Sequence, residues 1–292
     1  MTNQGAAVAN APAKINLYLH VTGKRADGYH LLDSLIAFAG IGDTIEASPA
    51  DVLTLSCDGP FGAALASEPD NLVLKAARVL AEQAGVSNGA ALRLTKRLPI
   101  ASGIGGGSAD AAAALRALAQ LWQLTLAPYD MHAIAARLGA DVPICLHGRA
   151  ATIGGVGEII ADTPPLPEAG IVLVNPGRGL STPAVFKTFR GPMSAARHME
   201  RAPRDARELC AMLSLRGNDL TEAAIALVPQ IAEVLAALAR TPGAMLARMS
   251  GSGATCFALF DDRMSAARAA KDLAQRHPSW WVQGAALISA YP

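Results

Sequence analysis

Apolar and polar residues alternate strictly along residues 14–21 of this chain. One face of an extended segment would be apolar and the other polar or aromatic: Ile15, Leu17, Leu19 and Val21 against Lys14, Asn16, Tyr18 and His20. Strict alternation predicts a half-buried strand. Asparagine is depleted in strands, so a plain solvated face accounts poorly for Asn16, which points the same way as Lys14.

Turn residues and hydrophobic spacing divide the rest of the chain into short elements. Asp27-Gly28 and Gly42-Asp43 predict turns, and Asp70-Asn71 predicts the cap of a helix. We expect strands over 31–38, 44–46, 52–56, 91–97, 171–174, 244–249, 255–260 and 281–289, and helices over 72–84, 109–121, 128–138, 206–213, 219–227, 229–239 and 264–276, with another opening at Ser181-Thr182-Pro183. Strands and helices mixed in this way indicate an α+β protein, with residues 1–11 disordered.

The densest glycine cluster lies between a predicted strand and an alanine-rich helix. Residues 99–109 read Pro-Ile-Ala-Ser-Gly-Ile-Gly-Gly-Gly-Ser-Ala. Glycines permit close backbone approach, and a helix N-terminus offers free N–H groups, so the segment predicts a phosphate cradle. It lacks the Gly-Lys-Ser/Thr ending of a Walker A loop and the third glycine of a dinucleotide fingerprint. The alternative is a flexible linker before a buried helix.

Composition narrows the class of protein. The 292 residues are 51% hydrophobic and 17% charged, with a formal net charge of +1, which argues against nucleic acid or an anionic membrane as the main partner. The four cysteines are far apart and form no Cys-x-x-Cys pair, which fits a reducing, cytoplasmic setting. No secretory signal or long uncharged apolar run is present in the sequence.

Two further features have two readings each. Tyr29-His30 follows a turn, and the pair could stack on a planar ring or simply pack at a strand edge. Asp141 lies between Gly139 and Pro143, where it could cap a short helix or act as a general base. The arginine-rich residues 190–207 predict a solvated surface insertion. A glycine- and proline-rich stretch places the domain boundary between residues 164 and 165, giving domains 1–164 and 165–292.

Three motifs in order resemble the GHMP kinase superfamily, which includes galactokinase and the homoserine, mevalonate and phosphomevalonate kinases. They are Pro-Ala-Lys-Ile-Asn-Leu at 12–17, Leu-Pro-x3-Gly-x-Gly-Gly-Gly-Ser-Ala at 98–109 and Ser-Gly-Ser-Gly-Ala-Thr-Cys at 250–256. Arg-x-Asp-Gly-Tyr-His at 25–30 and Leu-Gly-Ala-Asp-Val-Pro at 138–143 are similar to one branch of it, whose substrate carries a cytidine diphosphate group.

The resemblance implies a fold, a reaction and a set of site residues. The N-terminal domain would be ribosomal S5 domain 2-like and bind ATP, with a ferredoxin-like C-terminal domain on the substrate side. ATP, accompanied by Mg²⁺, would phosphorylate a hydroxyl of the small-molecule substrate, with Lys14 and Asp141 as catalytic residues and Ser108 as the candidate metal ligand. The implied ATP-binding residues are Asn71, Lys96, Pro99, Ile100, Ala101, Ser102, Gly103, Ile104, Gly105, Gly106, Gly107, Ser108 and Ala109, and the implied substrate-binding residues are Asn16, Tyr29, His30 and Phe186.

The chain also departs from the family pattern, and other functions compete. Ile36 stands where relatives carry an aromatic residue, and Ala101-Ser102 replaces a glycine at the front of the loop. The rivals are a homoserine or mevalonate kinase, a non-catalytic nucleotide-binding module and an S5-like RNA-binding protein. The Tyr29-His30 pair, the presence of both Lys14 and Asp141, and the near-zero net charge argue against them in turn. We expect a cytoplasmic monomer or weak homodimer.

Overall fold

The computed structural model describes residues 5–65 and 71–291. Within these ranges the chain forms ten strands, nine helices and a short 3₁₀ turn. The strands are β1 (Ala7–Lys24), β2 (His30–Ala50), β3 (Thr54–Asp58), β4 (Gly89–Thr95), β5 (Ala151–Gly154), β6 (Ile159–Asp162), β7 (Ala169–Asn175), β8 (Leu246–Met249), β9 (Cys256–Phe260) and β10 (Trp281–Ile288). The helices are α1 (Leu72–Ala84), α2 (Gly106–Leu121), α3 (Pro128–Leu138), α4 (Val142–His147), α5 (Thr182–Thr188), α6 (Ala206–Ser214), α7 (Thr221–Leu227), α8 (Gln230–Ala239) and α9 (Arg263–Arg276).

The chain divides into two compact units that interleave along the sequence. The first unit takes Met1–Ala13, Gly42–Ile100 and Gly105–His147, as far as these residues are described. The second unit takes Lys14–Ile41, Ala101–Ile104 and Gly148–Pro292, with the same restriction. The long strands β1 and β2 each contribute residues to both units. The division at residues 164 and 165 follows sequence order and stays a prediction.

In the first unit, helices pack beside a small sheet. The second half of β2 pairs with β4 antiparallel, from Thr44 opposite Thr95 to Ala50 opposite Gly89, and β3 pairs with β4 in parallel. Helix α2 packs against α1 and α4, and α3 packs against α1. Alanine dominates α2, and its residues 109–115 are all buried, because small side chains let neighbouring helices approach closely. This packing fixes the start of α2 at Gly106.

The predicted turn at Gly42-Asp43 is wrong, because β2 runs through it without interruption. A side chain at Gly42 would collide with the backbone of Ala11 and Pro12. The glycine therefore serves a close approach of β1 and not a reversal of the chain. The Asp70 half of the predicted helix cap lies outside the described residues.

The structure corrects two expectations for the start of the chain. Residues 7–11, expected to be disordered, form the beginning of β1. Residues 14–21 were expected to form a half-buried strand, but both faces are covered. Lys14, Asn16 and His20 are each only 5% exposed and Tyr18 is fully buried. The polar face of this strand is therefore an interior surface.

In the second unit, helices cover an antiparallel sheet. Strand β10 pairs with β7 and with the first half of β2, and β9 lies between β7 and β8. Helix α9 packs on β7 and β10, and α8 packs on β8 and β9. The core between them includes Val172, Val174, Leu238, Phe260, Ala266 and Leu273. No helix in the described ranges combines the length and apolar character needed to cross a membrane.

The arginine-rich segment is irregular, as predicted, from residue 190 to the start of α6 at Ala206. The predicted surface arginines are exposed: Arg190, Arg197, Arg201, Arg204 and Arg207, the last within α6. The backbone of this segment is nevertheless hydrogen-bonded to strands β1 and β2 of the same unit. The Ser194 amide donates to the Val21 carbonyl over 2.8 Å, and the Arg197 amide donates to Asp33 Oδ2 over 2.6 Å.

Candidate active site

The second unit brings together residues from three motifs that are far apart in the sequence. The Lys14 amide donates to the carbonyl of Ile104 over 2.9 Å. The Asn16 amide donates to Ser250 Oγ over 3.1 Å. That hydroxyl in turn donates to the carbonyl of Gly103 over 3.2 Å. Strand β1, the front of the glycine loop and the loop after β8 therefore form one hydrogen-bonded cluster.

Glycines allow the two loops of this cluster to touch. A Cβ on Gly103 would lie 2.5 Å from the carbonyl oxygen of Gly253, and the φ of Gly103 is +75°. A Cβ on Gly251 would lie 2.7 Å from the carbonyl oxygen of Gly103. The Thr255 amide donates to the Ser102 carbonyl over 3.1 Å. Backbone approaches this close exclude side chains at both glycines.

The same cluster holds the start of α5. The Leu180 amide donates to the carbonyl of Ala101 over 2.9 Å. The hydroxyls of Thr182 and Ser252 are 2.8 Å apart. Ala101 has a φ of +50°, a left-handed conformation that glycine adopts more easily. The replacement of glycine at this position therefore has a backbone cost.

A shallow groove of the second unit contains two of the three residues expected to recognise the base. His30 and Phe186 stack with ring centroids 5.1 Å apart, and Tyr29 is 65% exposed. The groove has a volume of about 530 Å³ and is lined by Lys24, Gly28, His30, Pro183, Phe186, Lys187, Phe189 and Arg190. Burial, and then the positive charge of Lys24, lower the pKa of His30. A neutral imidazole offers one donor and one acceptor. Ile36 is buried on β2, opposite Ala151.

The first unit carries the rest of the glycine loop, residues 99–100 and 105–109. Gly105 is the N-cap of α2 with a φ of +64°, and Gly106 is the first helical residue. The Ala109 amide donates to the carbonyl of Gly105 over 2.8 Å, closing the first turn. The amides of the three residues between them have no partner within the helix, as at any helix start. They give the first unit a helix terminus of the kind that can bind an anion, with Ser108 in its first turn.

A buried ion cluster lies against this helix start. Lys96 Nζ donates to Asp43 Oδ2 and to Asp110 Oδ2, each over 2.6 Å. The three side chains are at most 3% exposed. Asp43 Oδ1 also accepts hydrogen bonds from the backbone amides of Arg97 and Leu98. The side chain of Lys96, expected to bind ATP, is thus engaged by two carboxylates.

The cluster holds two carboxylates around one ammonium group. Burial, the largest effect, raises the pKa of Asp110 to about 8; Lys96 opposes the rise and Asp43 adds to it. Burial alone would lower the pKa of Lys96, but the two aspartates raise it. Asp110 Oδ1 has no hydrogen-bond partner within the described ranges, whereas both oxygens of Asp43 are bonded. Burial therefore favours the protonated form of Asp110.

Asn71 and Asp141 both stand at helix starts of the first unit. Asn71 Oδ1 accepts the amide of Val73 over 2.9 Å, which confirms the predicted cap of α1. Asp141 directly precedes α4, and its carbonyl accepts the Cys145 amide over 3.3 Å. The ATP-binding role of Asn71 and the catalytic role of Asp141 stay predictions.

Sequence reasoning missed several residues that hold this architecture. Ser250 lay within a motif but had no assigned role, Asp43 was assigned to a turn, and Ser34 was not singled out. Asp110 carried a usable signal, because a carboxylate within a run of alanines is buried and needs a partner. The sequence around Asn218 carried no signal of its role. Its side-chain amide donates to the carbonyls of Met249 and Gly251, 31 and 33 residues away.

Two protein-family models match this chain, one in its N-terminal half and one in its C-terminal half. Residues 71–149 match the family described as GHMP kinases N terminal domain, and residues 193–279 match GHMP kinases C terminal. The chain therefore belongs to the GHMP kinases, which use ATP as the phosphoryl donor. The predicted α+β GHMP kinase fold is confirmed.

Individual relatives narrow the assignment. The chain is 54% identical over 279 residues to 4-diphosphocytidyl-2-C-methyl-D-erythritol kinase of Paramagnetospirillum magneticum, covering 96% of this chain and 98% of that one. It is 56% identical to the kinase of the same name from Ruegeria pomeroyi, covering 94% and 96%. Within the GHMP kinases, the chain thus belongs to the 4-diphosphocytidyl-2-C-methyl-D-erythritol kinases.

Solved structures agree with this placement. A crystal structure of 4-(cytidine 5'-diphospho)-2C-methyl-D-erythritol kinase is 33% identical, with a TM-score of 0.79 and coverage of 96% of this chain and 99% of that one. A homoserine kinase from Cytophaga hutchinsonii is 16% identical, with a TM-score of 0.74 and coverage of 99% and 97%. The second likeness shows the shared fold alone.

Proposed function

We propose that this chain transfers the γ-phosphoryl group of ATP to the 2-hydroxyl of 4-diphosphocytidyl-2-C-methyl-D-erythritol, giving the 2-phosphate and ADP. The observation that carries this proposal is the cluster that joins β1, the glycine loop and the loop after β8 within the second unit. These are the three stretches that define the family resemblance, in a chain 54% identical to a kinase of that name.

Backbone amides hold the phosphates in this proposal. Phosphoryl transfer depends mainly on positioning and on stabilising negative charge, and the helix start at Gly106 supplies both. The proposed nucleotide-binding residues remain Asn71, Lys96 and residues 99–109. Lys96 would contribute through its backbone or through the ion cluster, since its ammonium group is engaged by Asp43 and Asp110.

Two charged residues carry the proposed chemistry. Asp141 accepts the proton of the attacking hydroxyl, and Lys14 stabilises the negative charge that develops during transfer. Within the described part of the chain, no three His, Cys, Asp or Glu side chains are grouped to hold a metal ion. Mg²⁺ would therefore bind mainly through the phosphate oxygens of ATP, with the Ser108 hydroxyl as its candidate protein ligand.

Aromatic stacking and one amide recognise the substrate. The cytosine ring stacks with Tyr29 and Phe186, and the neutral imidazole of His30 bonds to its polar edge. Asn16 binds the polyol that is phosphorylated. A homoserine or mevalonate acceptor would leave the aromatic groove unused, which is why we favour the cytidine-bearing substrate.

An acceptor comparison tests this function. Purified protein is incubated with ATP, Mg²⁺ and one of three acceptors, and ADP formation is followed by a coupled assay. We expect ADP with 4-diphosphocytidyl-2-C-methyl-D-erythritol and none above background with homoserine or mevalonate. Equal turnover of either of the latter would overturn the assignment. Phosphorus NMR of the product should show a new phosphomonoester beside the intact diphosphate.

The catalytic base is tested separately from binding. Asp141→Asn should lower kcat by about 10²–10⁴-fold, because a general base contributes that much, while the Kd for ATP changes little. The matched control is Asp130→Asn, an exposed carboxylate at the start of α3, which should leave kcat unchanged. Normal turnover by Asp141→Asn would reduce Asp141 to a residue that only starts a helix.

We also propose that the enzyme works in the cytoplasm as a monomer or weak homodimer. Its four cysteines are all free thiols, which fits a reducing compartment. Sedimentation velocity between micromolar and submicromolar concentrations should show a monomer at the dilute end. A stable dimer throughout that range would contradict this part of the proposal.

A further inference from the structure

Asn16 is a buried residue whose side-chain amide nitrogen is hydrogen-bonded and whose side-chain amide oxygen is not. It is 5% exposed on β1. Its side-chain Nδ2 donates to Ser34 Oγ over 2.8 Å. Its Oδ1 is buried, and no described residue donates a hydrogen bond to it. Buried polar atoms are almost always paired, so this oxygen requires a donor from outside the described chain.

The hydroxyl of Ser34 determines which way the Asn16 amide faces. Ser34 Oγ lies 2.5 Å from the carbonyl oxygen of Tyr18, to which it donates its proton. A hydroxyl has one proton, so Ser34 can only accept a hydrogen bond from its second neighbour. The group of Asn16 that faces Ser34 must then be the NH₂ donor, and Oδ1 must face away. This orientation follows from donor and acceptor counting.

Asn16 Oδ1 lies within the hydrogen-bonded cluster formed by β1, the front of the glycine loop and the loop after β8. A Cβ built on Gly251 would lie 3.3 Å from Asn16 Oδ1, so the glycine keeps this side of the oxygen uncrowded. The Asn16 backbone is bonded to Ser250, which also bonds the carbonyl of Gly103 in the glycine loop. The oxygen without a partner therefore belongs to a residue of this cluster.

We propose that Ser34 is a positioning residue that fixes the Asn16 amide so that Oδ1 accepts a hydrogen bond from a hydroxyl of the polyol acceptor. This inference rests on the proposed function, in which Asn16 binds that acceptor. It adds the direction of the hydrogen bond and the residue that sets it. A site built in this way favours a ligand hydroxyl over a ligand carbonyl or methyl group, which would leave Oδ1 buried and unpaired.

Kinetics of Ser34 variants test the proposal. Ser34→Ala removes the acceptor for Nδ2, so the amide is no longer held. We expect KM for the polyol acceptor to rise about tenfold while KM for ATP stays within about twofold. Ser34→Thr keeps the hydroxyl and should restore KM to within about twofold of the wild type. The matched control is Thr152→Val, which removes a buried hydroxyl on β5, the strand beside Ser34, and should change neither KM.

A double-mutant cycle separates positioning from a direct or merely structural role. If Ser34 acts through Asn16, Ser34→Ala should raise KM for the acceptor less than twofold in an Asn16→Ala background. A full tenfold rise in that background would overturn the proposal, as would equal changes in both KM values or failure of Ser34→Thr to restore KM in a protein with wild-type thermal stability.

Side-chain NMR tests the orientation without any substrate. The ¹⁵N-labelled amide of Asn16, assigned by its loss in Asn16→Asp, should show a hydrogen-bonded NH₂ group whose shift moves in Ser34→Ala and not in Thr152→Val. An unchanged signal in Ser34→Ala would overturn the positioning role. Failure of the proposed function appears differently, as wild-type protein that makes no ADP with the cytidine-bearing acceptor although the NMR result holds.

Discussion

Each unit contains one of the two buried polar clusters described above, and these two clusters differ in their chemistry. In the first unit Lys96, Asp43 and Asp110 form a charged cluster with two 2.6 Å bonds. In the second unit the cluster around Asn16 uses two serine hydroxyls, an amide and backbone groups, with bonds of 2.8–3.2 Å between Asn16, Ser34, Ser250 and Gly103. Buried charges cost several kcal/mol each unless paired, whereas a neutral hydrogen bond contributes about 1 kcal/mol.

The charged cluster is suited to stabilising the fold, whereas the neutral network is suited to recognising a ligand. A charged cluster responds strongly to the loss of one member, so it suits a fixed support beneath the start of α2. In a neutral network an unpaired atom costs less than an unpaired charge does, so Asn16 Oδ1 can remain an acceptor for a ligand. Each of the following variants tests one side of this contrast.

The largest effect is expected from removing the central cation. Lys96→Met leaves the buried Asp43 carboxylate without a counter-charge and Asp110 without its hydrogen-bond donor, so the free energy of unfolding should fall by about 3–5 kcal/mol in urea denaturation. The matched control is Lys75→Met, an exposed lysine on α1, which should change it by less than about 0.5 kcal/mol. Similar small losses in both variants would remove the contrast between the units.

The charged cluster should also give stability a dependence on pH. The pKa of Asp110 is about 8 in the folded protein against an ordinary value of 3.8, so the folded state binds a proton that the unfolded chain has lost. The stabilisation from this proton is complete below about pH 4 and is lost as the pH rises through about 8.

Asp110→Asn cannot titrate and lacks this loss. From pH 5 to pH 8.5 its free energy of unfolding should rise relative to that of the wild type, because the wild type loses about 1.4 kcal/mol for each pH unit over which only its folded state keeps the proton. Denaturation at both pH values measures the change, with Asp130→Asn as the exposed control. A constant difference would show that Asp110 is ionised throughout.

The neutral network should give the smallest loss of stability. Ser250→Ala removes the hydroxyl between the Asn16 amide and the Gly103 carbonyl, and we expect a loss of about 1–2 kcal/mol. Ser214→Ala, which removes an exposed hydroxyl bonded to its own helix, should cost less than about 0.5 kcal/mol. A loss from Ser250→Ala as large as that from Lys96→Met would show that neutral bonds support this fold as strongly as charged ones.

Local pattern predicted much of the fold. The expected helix over 128–138 is observed as α3, and the spacing of α1, α8 and α9 was also readable, because amphipathic periodicity and capping are local properties. The glycine loop and its helix start were predicted for the same reason. The family resemblance supplied the proposed roles of Lys14, Asn16 and Asp141, which local pattern left open.

Errors arose where a residue serves a distant partner. Gly42-Asp43 has the composition of a turn, yet Gly42 admits the backbone of β1 and Asp43 pairs with Lys96, 53 residues away. The expected polar face of β1 is buried because Asn16 and Tyr18 bond to Ser34 and Asp33 on the neighbouring strand. The sequence near each of these residues does not show which distant residue is its partner.

The sequence by itself determined most of the helices, the glycine-rich helix start and the family. Only the tertiary structure decided that Lys96 is held by two aspartates, that Ser250 joins two loops, and that Ser34 directs the Asn16 amide. The physical reason is that propensity and periodicity depend on neighbours within a few residues, whereas burial and pairing depend on which distant residues share a position. The Asn16–Ser250 bond spans 234 residues, a separation at which only the folded chain can match a donor to its acceptor.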